Sequence, residues 1–299
     1  INVRDVRFNV AGVAGQLAGK ADYRFNQSNQ LATLNFSMNG NGASVELPRY
    51  LEQTLNISRA RLNGVYDFVK DAIEIDTLEL EHNFGMAKAS GIVTLVERNP
   101  HFDLTAHFGS MTREGTEALW PLTVSPNGRK WVEANLVGGK LRNGSLSINA
   151  SLQDFTRRKK TDPMREDAML LDLDFENIGV RYLSHLPILE NTQARLMLRG
   201  SSMEARGKGG EIKLPTGNGD SSTMIVEKVG FFTPNYRDRL QSANIDFSGG
   251  GVTRDILRAI NRPPLNALRR LNFDTDRLLG DARADVALKI PIFAPPEQR

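Results

Sequence analysis

Few side chains in this sequence have the type and spacing that chemistry requires. The four histidines are His82, His101, His107 and His185, and none is spaced with another to make a helical zinc pair. There is no cysteine, which removes disulfides, thiolate metal sites and thiol catalysis together. No nucleophile elbow, phosphate-binding loop or zinc-protease motif occurs. Asp172-Leu173-Asp174 has the form of a metal-binding acidic pair, but it sits in an alternating run and reads as the solvated side of a strand. Gly249-Gly250-Gly251 precedes a helical stretch and has the form of a phosphate cradle. With no Lys or Asp partner beside it, a strand-to-helix connection is the better reading. The basic run Arg157-Arg158-Lys159-Lys160 is diluted by Asp162, Glu166 and Asp167 and reads as an exposed loop. No catalytic residue, metal ligand or cofactor is assigned, and the chain reads as a non-enzyme.

What the residues do offer is alternation, the signature of strands with one greasy side. Val6, Phe8 and Val10 alternate, then Leu17, Ala21, Tyr23 and Phe25, then Leu34, Phe36 and Met38 after the turn at Gln27-Ser28-Asn29. Asn39-Gly40-Asn41-Gly42 predicts a hairpin, and Pro48 opens a short helical stretch with Tyr50, Leu51 and Leu55. Strands resume with Leu62 to Phe68, Ile73 and Ile75, Leu78 and Leu80, Ala87 to Leu95, and Phe102 to Phe108. Turns arrive about every ten residues, as in an antiparallel meander.

Residues 119–152 combine the whole repertoire. Ser125 is placed as an N-cap and Pro126 at the first helical position. Trp131, Val132 and Leu136 share a helical face, and Gly138-Gly139 ends the helix. Leu146, Ile148, Ala150 and Leu152 then point one way, with Ser145, Ser147, Asn149 and Ser151 opposite. The second half restarts with Leu171, Leu173 and Phe175, and continues through Leu196 and Leu198, Ile212 and Leu214, Met224 and Val226, and Ala243, Ile245 and Phe247. A helix from Thr253 carries Ile256, Leu257 and Ile260 and stops at Asn261-Arg262-Pro263-Pro264; Ala284, Val286, Leu288 and Ile290 form the last strand.

The predicted organisation is a first β segment at 1–153 with a helix at 126–137, an exposed basic loop at 154–168, and a second β segment at 169–299 with a helix at 253–261. GGKLRNGSLSINASL and LLGDARADVALKIPI, each a Gly leading into an alternating strand after a helix, favour a loosely repeated unit. So do LPRYLEQTLNISRARL and LPILENTQARLML, which share a Leu-Pro, a Leu-Glu and a later Ala-Arg-Leu.

At 299 residues, with 40% hydrophobic and 24% charged side chains, the chain is long enough for a packed fold. Its 38 basic and 35 acidic residues are interspersed, which argues against nucleic acid as a partner. No run approaches the ~18 apolar residues of a membrane span. The chain opens on Ile rather than Met, so a fragment or mature form is expected, with any membrane anchor outside it.

Leu119-Trp120-Pro121, Pro126, Arg129-Lys130-Trp131 and the strand from Gly139 to Leu152 resemble the AsmA-like family, close to its YhdP branch. Leu186-Pro187 with Leu189-Glu190, and the closing strand from Gly280 to Pro291, are similar to later parts of the same pattern. The resemblance implies an inner-membrane-anchored protein of the Gram-negative periplasm, related to TamB and to bridge-like lipid transfer proteins. It implies an elongated, twisted antiparallel sheet curled into an apolar groove, a role in moving phospholipid to the outer membrane, and no catalytic residues.

On this reading the chain is a mainly β, non-catalytic phospholipid conduit between inner and outer membrane. Its partners are acyl chains, with membrane contact through regions outside this chain and an envelope protein as a further partner. Alternation nominates Phe36, Met38, Leu104, Phe108, Leu146, Ile148, Leu173, Phe175, Ile245, Phe247, Val286 and Leu288 as the groove lining. The competing reading is a structural or protein-interaction β-scaffold of the envelope, in which the same faces close on each other as a core. A glycan- or envelope-binding enzyme is a third reading, disfavoured by the missing catalytic constellation.

Overall fold

The computed structural model describes residues 1–10, 12–95, 99–122, 126–156, 162–181, 187–216, 220–236, 238, 241–261, 268 and 274–291. The fold is mainly β, with short helices. In chain order come β1 (Asn2–Val10), β2 (Val13–Phe25), β3 (Leu31–Val45), β4 (Leu55–Asp67), β5 (Ala72–His82), β6 (Gly85–Thr94) and β7 (His101–Phe108). Next are β8 (Met111–Thr112), α1 (Arg113–Leu119), α2 (Pro126–Asn135), β9 (Leu136–Val137), β10 (Lys140–Ser151) and α3 (Leu152–Thr156). The chain closes with β11 (Met169–Val180), β12 (Leu189–Arg199), β13 (Ser202–Lys208), β14 (Glu211–Pro215), β15 (Ser221–Thr233), β16 (Ser242–Val252), α4 (Thr253–Ile260) and β17 (Asp281–Pro291).

Two compact units form, each discontinuous in sequence. The first comprises Ile1–Arg129, Leu141–Leu173 and Leu198–Ser201; the second comprises Lys130–Lys140, Asp174–Met197 and Ser202–Arg299. In the first, β1 to β7 form an antiparallel meander and β10 adds antiparallel to β7, from Gly144 opposite Phe108 to Ser151 opposite His101. In the second, β15 pairs with β14 through its first half, with β13 through its second half, and with β16 along its other side; β17 pairs along the whole of β16.

Several local expectations give way to long-range pairing. Asn39-Gly40-Asn41-Gly42 does not turn: β3 runs straight through it, paired to β4 on both sides of Gly42. Gly42 has φ +67°, and the register with β2 slips between Ala14 and Leu17, so the extra residue is absorbed as a bulge. The reversal comes later, in a turn where Tyr50 and Leu51 N–H both donate to Leu47 O, in place of the expected helix. The helix from Pro126 closes at Asn135 rather than 137. Leu136 and Val137 are taken by β9, which pairs with Val180 and Gly179. Gly249-Gly250-Gly251 is neither loop nor cradle but strand, all three paired to β17 and the first two to β15 as well. Asn143-Gly144 likewise lies within β10.

Residues 162–168 are partly packed: Met164 and Ala168 are buried, and Met164 N–H donates to Ser201 Oγ at 2.6 Å. Ser125, the basic run 157–160, His185, Leu186 and residues 262–264 lie outside the described residues.

Candidate functional site

The register of the first unit converts separate alternations into continuous rows. Tyr23, Leu34, Tyr66, Ile73, Val93, Phe102 and Ala150 follow one another across β2, β3, β4, β5, β6, β7 and β10. The next row is Ala21, Phe36, Gly64, Ile75, Gly91, Leu104 and Ile148. Beside it run Gly19, Met38, Leu62, Leu78, Ala89, Ala106 and Leu146, and then Leu17, Gly40, Ala60, Leu80, Ala87, Phe108 and Gly144. Every position in the four rows is glycine, alanine or a larger apolar or aromatic residue.

Two devices keep the rows in line. A register slip between Ile75 and Leu78 returns both residues to the same face despite their odd spacing. Gly91 has φ +136°, and a Cβ there would stand 2.0 Å from Asp103 O, so only glycine lets β6 and β7 approach at that point.

The opposite face is polar and self-paired. Glu79 Oε1 accepts from Lys88 Nζ at 2.7 Å, and Glu79 also faces Arg61 at 3.8 Å; Arg59 faces Glu81 at 3.6 Å. The Lys88 hydrogen bond and charge hold the Glu79 carboxyl below the usual range. Ser37 donates to Asn63 Oδ1 at 2.7 Å, and the Thr105 and Ser147 hydroxyls lie 3.4 Å apart. His101 and His107 alternate with the apolar positions of β7 and so lie on this side. At one margin of the apolar face Tyr66 donates to Asp71, which raises the phenol's pKa, and its ring meets Phe68 edge-on at 4.6 Å between centroids.

The apolar face is poorly covered. No large side chain in its four rows is buried; Leu34, Phe36, Leu62, Ile75, Leu104 and Ile148 are each half-buried, and Tyr23 is 45% exposed. The buried members are small: Ala21, Gly40, Gly64, Gly144 and Ala150. In a closed sandwich the centre of such a face is where burial is deepest.

The second unit differs. Leu189, Ile212, Leu214, Met224, Val226 and Ile256 of α4 form a closed core, with Val180, Val229, Phe247 and Ala259 packed on it. Thr253 N–H and Oγ1 both donate to Gly280 O, which staples the start of α4 to the segment before β17. Two apolar rows leave this core: Ala205, Phe231, Ile245 and Leu288, and Gly207, Val229, Phe247 and Val286. They reach an open margin, where Val286, Leu288 and Ile290 are 39%, 44% and 40% exposed.

Of the twelve nominated lining residues, Phe36, Met38, Leu104, Phe108, Leu146 and Ile148 stand together on the first unit's face. Ile245, Phe247, Val286 and Leu288 stand together in the second unit. Leu173 is 5% exposed and its Cδ2 lies over Gly144, while Phe175 is half-buried in the second unit. The face also contains Leu34, Leu62, Ile73, Ile75, Leu78, Val93 and Phe102, whose alternation is plain in the sequence but whose common side only the register decides.

Among the described residues no cluster of three or more His, Asp or Glu could hold a metal ion, and no helix is long and apolar enough to cross a membrane. A family model described as YhdP protein matches residues 15–295. No curated protein matches the chain, and neither does any solved structure.

Proposed function

The chain belongs to the YhdP family, and from the apolar face of its first unit we propose that it is a non-catalytic conduit for phospholipid acyl chains, working in the periplasm between inner and outer membrane. The observation that supports this is the pairing of four unbroken apolar rows with the absence of any large buried side chain in them. A face of that composition left in water is costly, and an acyl chain laid on it recovers ~0.8 kcal/mol per methylene removed from water. For a full chain the gain is on the order of 10 kcal/mol. Seven strands at a spacing of ~4.8 Å carry each row about 29 Å. That is about twice the ~15 Å hydrocarbon depth of one leaflet, so a chain fits along a row with room to move on. The polar, ion-paired reverse face keeps the other side of the sheet in water.

A scaffold reading has one observation in its favour, the closed core under α4 in the second unit. The test is to purify the chain from a Gram-negative host in mild detergent and extract it for lipid mass spectrometry. Stoichiometric phospholipid is the expected result. A lipid-free, fully stable protein would transfer the assignment to the scaffold.

A further inference from the structure

Four large apolar or aromatic side chains stand in water at one margin of the first unit's sheet. Phe25 closes β2 on the side of Ala21 and Tyr23 and is 61% exposed. Phe68 N–H donates to Ala32 O at 3.0 Å, which sets Phe68 one step beyond the pair of Tyr66 and Leu34, and its ring stays against Tyr66. Val69, in the turn between β4 and β5, is 76% exposed. With Tyr23 these side chains form a rim along the outermost apolar row. The turns of the opposite margin are packed instead. A Cβ on Gly115 of α1 would stand 3.0 Å from Phe84 Cβ, and Leu122 N–H donates to Tyr50 O at 2.7 Å.

The two turns that carry this rim satisfy their own polar groups. Asn26 Oδ1 accepts from Ser28 N–H at 3.0 Å and from Gln30 N–H at 2.9 Å, and the rest of that tip, Gln27 to Gln30, is uncharged. Asp67 Oδ1 accepts from Val69 N–H at 2.9 Å and from Lys70 N–H at 3.0 Å, and Lys70 Nζ returns to the same carboxylate at 3.4 Å. The Lys70 N–H bond above all holds the Asp67 carboxyl below its usual range. Asp71 accepts from the Tyr66 hydroxyl. Each charged group of the second turn therefore has a partner in its own hairpin. Whole aromatic side chains present about 150–250 Å², so the four together expose on the order of 400 Å². That is about half of the ~800 Å² each partner buries in a specific protein interface. It suits a shallow dip into a lipid leaflet, where apolar side chains enter the acyl boundary and tyrosines, apolar in body and polar at the tip, sit beside the headgroups. Turns with their own N–H groups satisfied enter such a layer at little cost.

We propose that this rim docks the chain on a phospholipid leaflet, with Phe25, Phe68 and Val69 entering the boundary between headgroups and hydrocarbon and Tyr23 and Tyr66 one step behind them. The chain itself then contributes a membrane contact beside its apolar face. The docking stands on the rim alone and does not require the face to carry lipid.

The chain has no cysteine, so Val69→Cys takes a single environment-sensitive nitrobenzoxadiazole label. The probe membrane is vesicles of phosphatidylethanolamine and phosphatidylglycerol. Emission from this label should shift to the blue when vesicles are added, and emission from a label at Asp103→Cys, on the exposed polar face, should not. Flotation of the unlabelled chain with the vesicles should persist from about 0.1 to 1 M salt, because the docking is apolar. Phe25→Ser and Val69→Ser should each weaken flotation about 10-fold, and both side chains are exposed enough to be replaced without unfolding the sheet. Failure to float, flotation lost in high salt, undiminished flotation of both variants, or a label at 69 that stays in water overturns the docking. A blue shift produced by an envelope protein extract and not by vesicles overturns it in favour of a protein partner. A chain that carries extracted lipid yet ignores vesicles overturns the docking and leaves the conduit standing.

Discussion

Replacing Ile148 by Asp separates a lipid-bearing face from a core. Ile148 lies opposite Leu104 in a central row and is half-buried. Full burial of such a side chain stabilises a fold by about 1.5–3 kcal/mol, and Ile148 keeps a minority of its surface in water, so its loss here costs on the order of 1–2 kcal/mol. The new carboxylate is not forced into a dry interior, because water reaches the site in the lipid-free protein. A unit of this size loses about 2–4 °C per kcal/mol, so the melting midpoint should fall by about 2–8 °C. An acyl chain lying over the same carboxylate strips its hydration, at a cost of several kcal/mol. Even about 3 kcal/mol lowers affinity roughly 100-fold. The assay is a far-UV circular dichroism melt and lipid mass spectrometry on one preparation. Ser147→Asp, on the polar face opposite Thr105, serves as control and should retain lipid. A folded Ile148→Asp protein that keeps its full lipid complement refutes the placement of acyl chains on this face. A fall of more than about 10 °C, far beyond the half-buried estimate, shows instead that the face is an ordinary core.

Three further outcomes follow from the geometry. Gly91→Ala sets a methyl 2.0 Å from Asp103 O at a φ of +136°, and should cost about 3 kcal/mol or more in urea unfolding; a change below about 1 kcal/mol would show that β6 and β7 can part there. Ile256→Ala removes the α4 anchor of the second unit's core and should cost about 2–5 kcal/mol, read as loss of protection from hydrogen exchange in β14 and β15. His82 has a pKa below its ordinary 6.5 in the folded chain, so the unfolded chain takes up the proton first. Stability should therefore decline as pH falls through about 6.5 and level off below the lowered folded value. His82→Phe should flatten that part of a melting-temperature profile, and an unchanged slope would assign it to other groups.

The strands were legible because a face that meets water on one side only imposes a period of two on the residues themselves. Alternation of Leu104, Ala106 and Phe108 with Asp103, Thr105 and His107 needs no partner strand to be read. The lack of cysteine is equally legible, and with it the lack of disulfides and thiolate chemistry. α4 was placed to within a residue because its apolar periodicity and its cap at Asn261 are local.

Other features depended on partners far away in the chain. Asn39 to Gly42 carries the local chemistry of a turn, yet the ladders on both sides of β3 offer more hydrogen bonds than a hairpin would, and the segment bulges instead. Leu136 and Val137 suit the helix before them, but Gly179 and Val180 claim them as a strand. Nothing within β5 reveals that Ile75 and Leu78 share a face, because that depends on a slip against β6. The sequence by itself therefore determined that this protein is built of one-sided strands. Which apolar residues line up into rows, and that one unit leaves its rows half-covered while the other closes a core under α4, was decided only in the tertiary structure. The physical reason is that side-chain direction is a property of one strand, whereas register and covering are properties of pairs and layers.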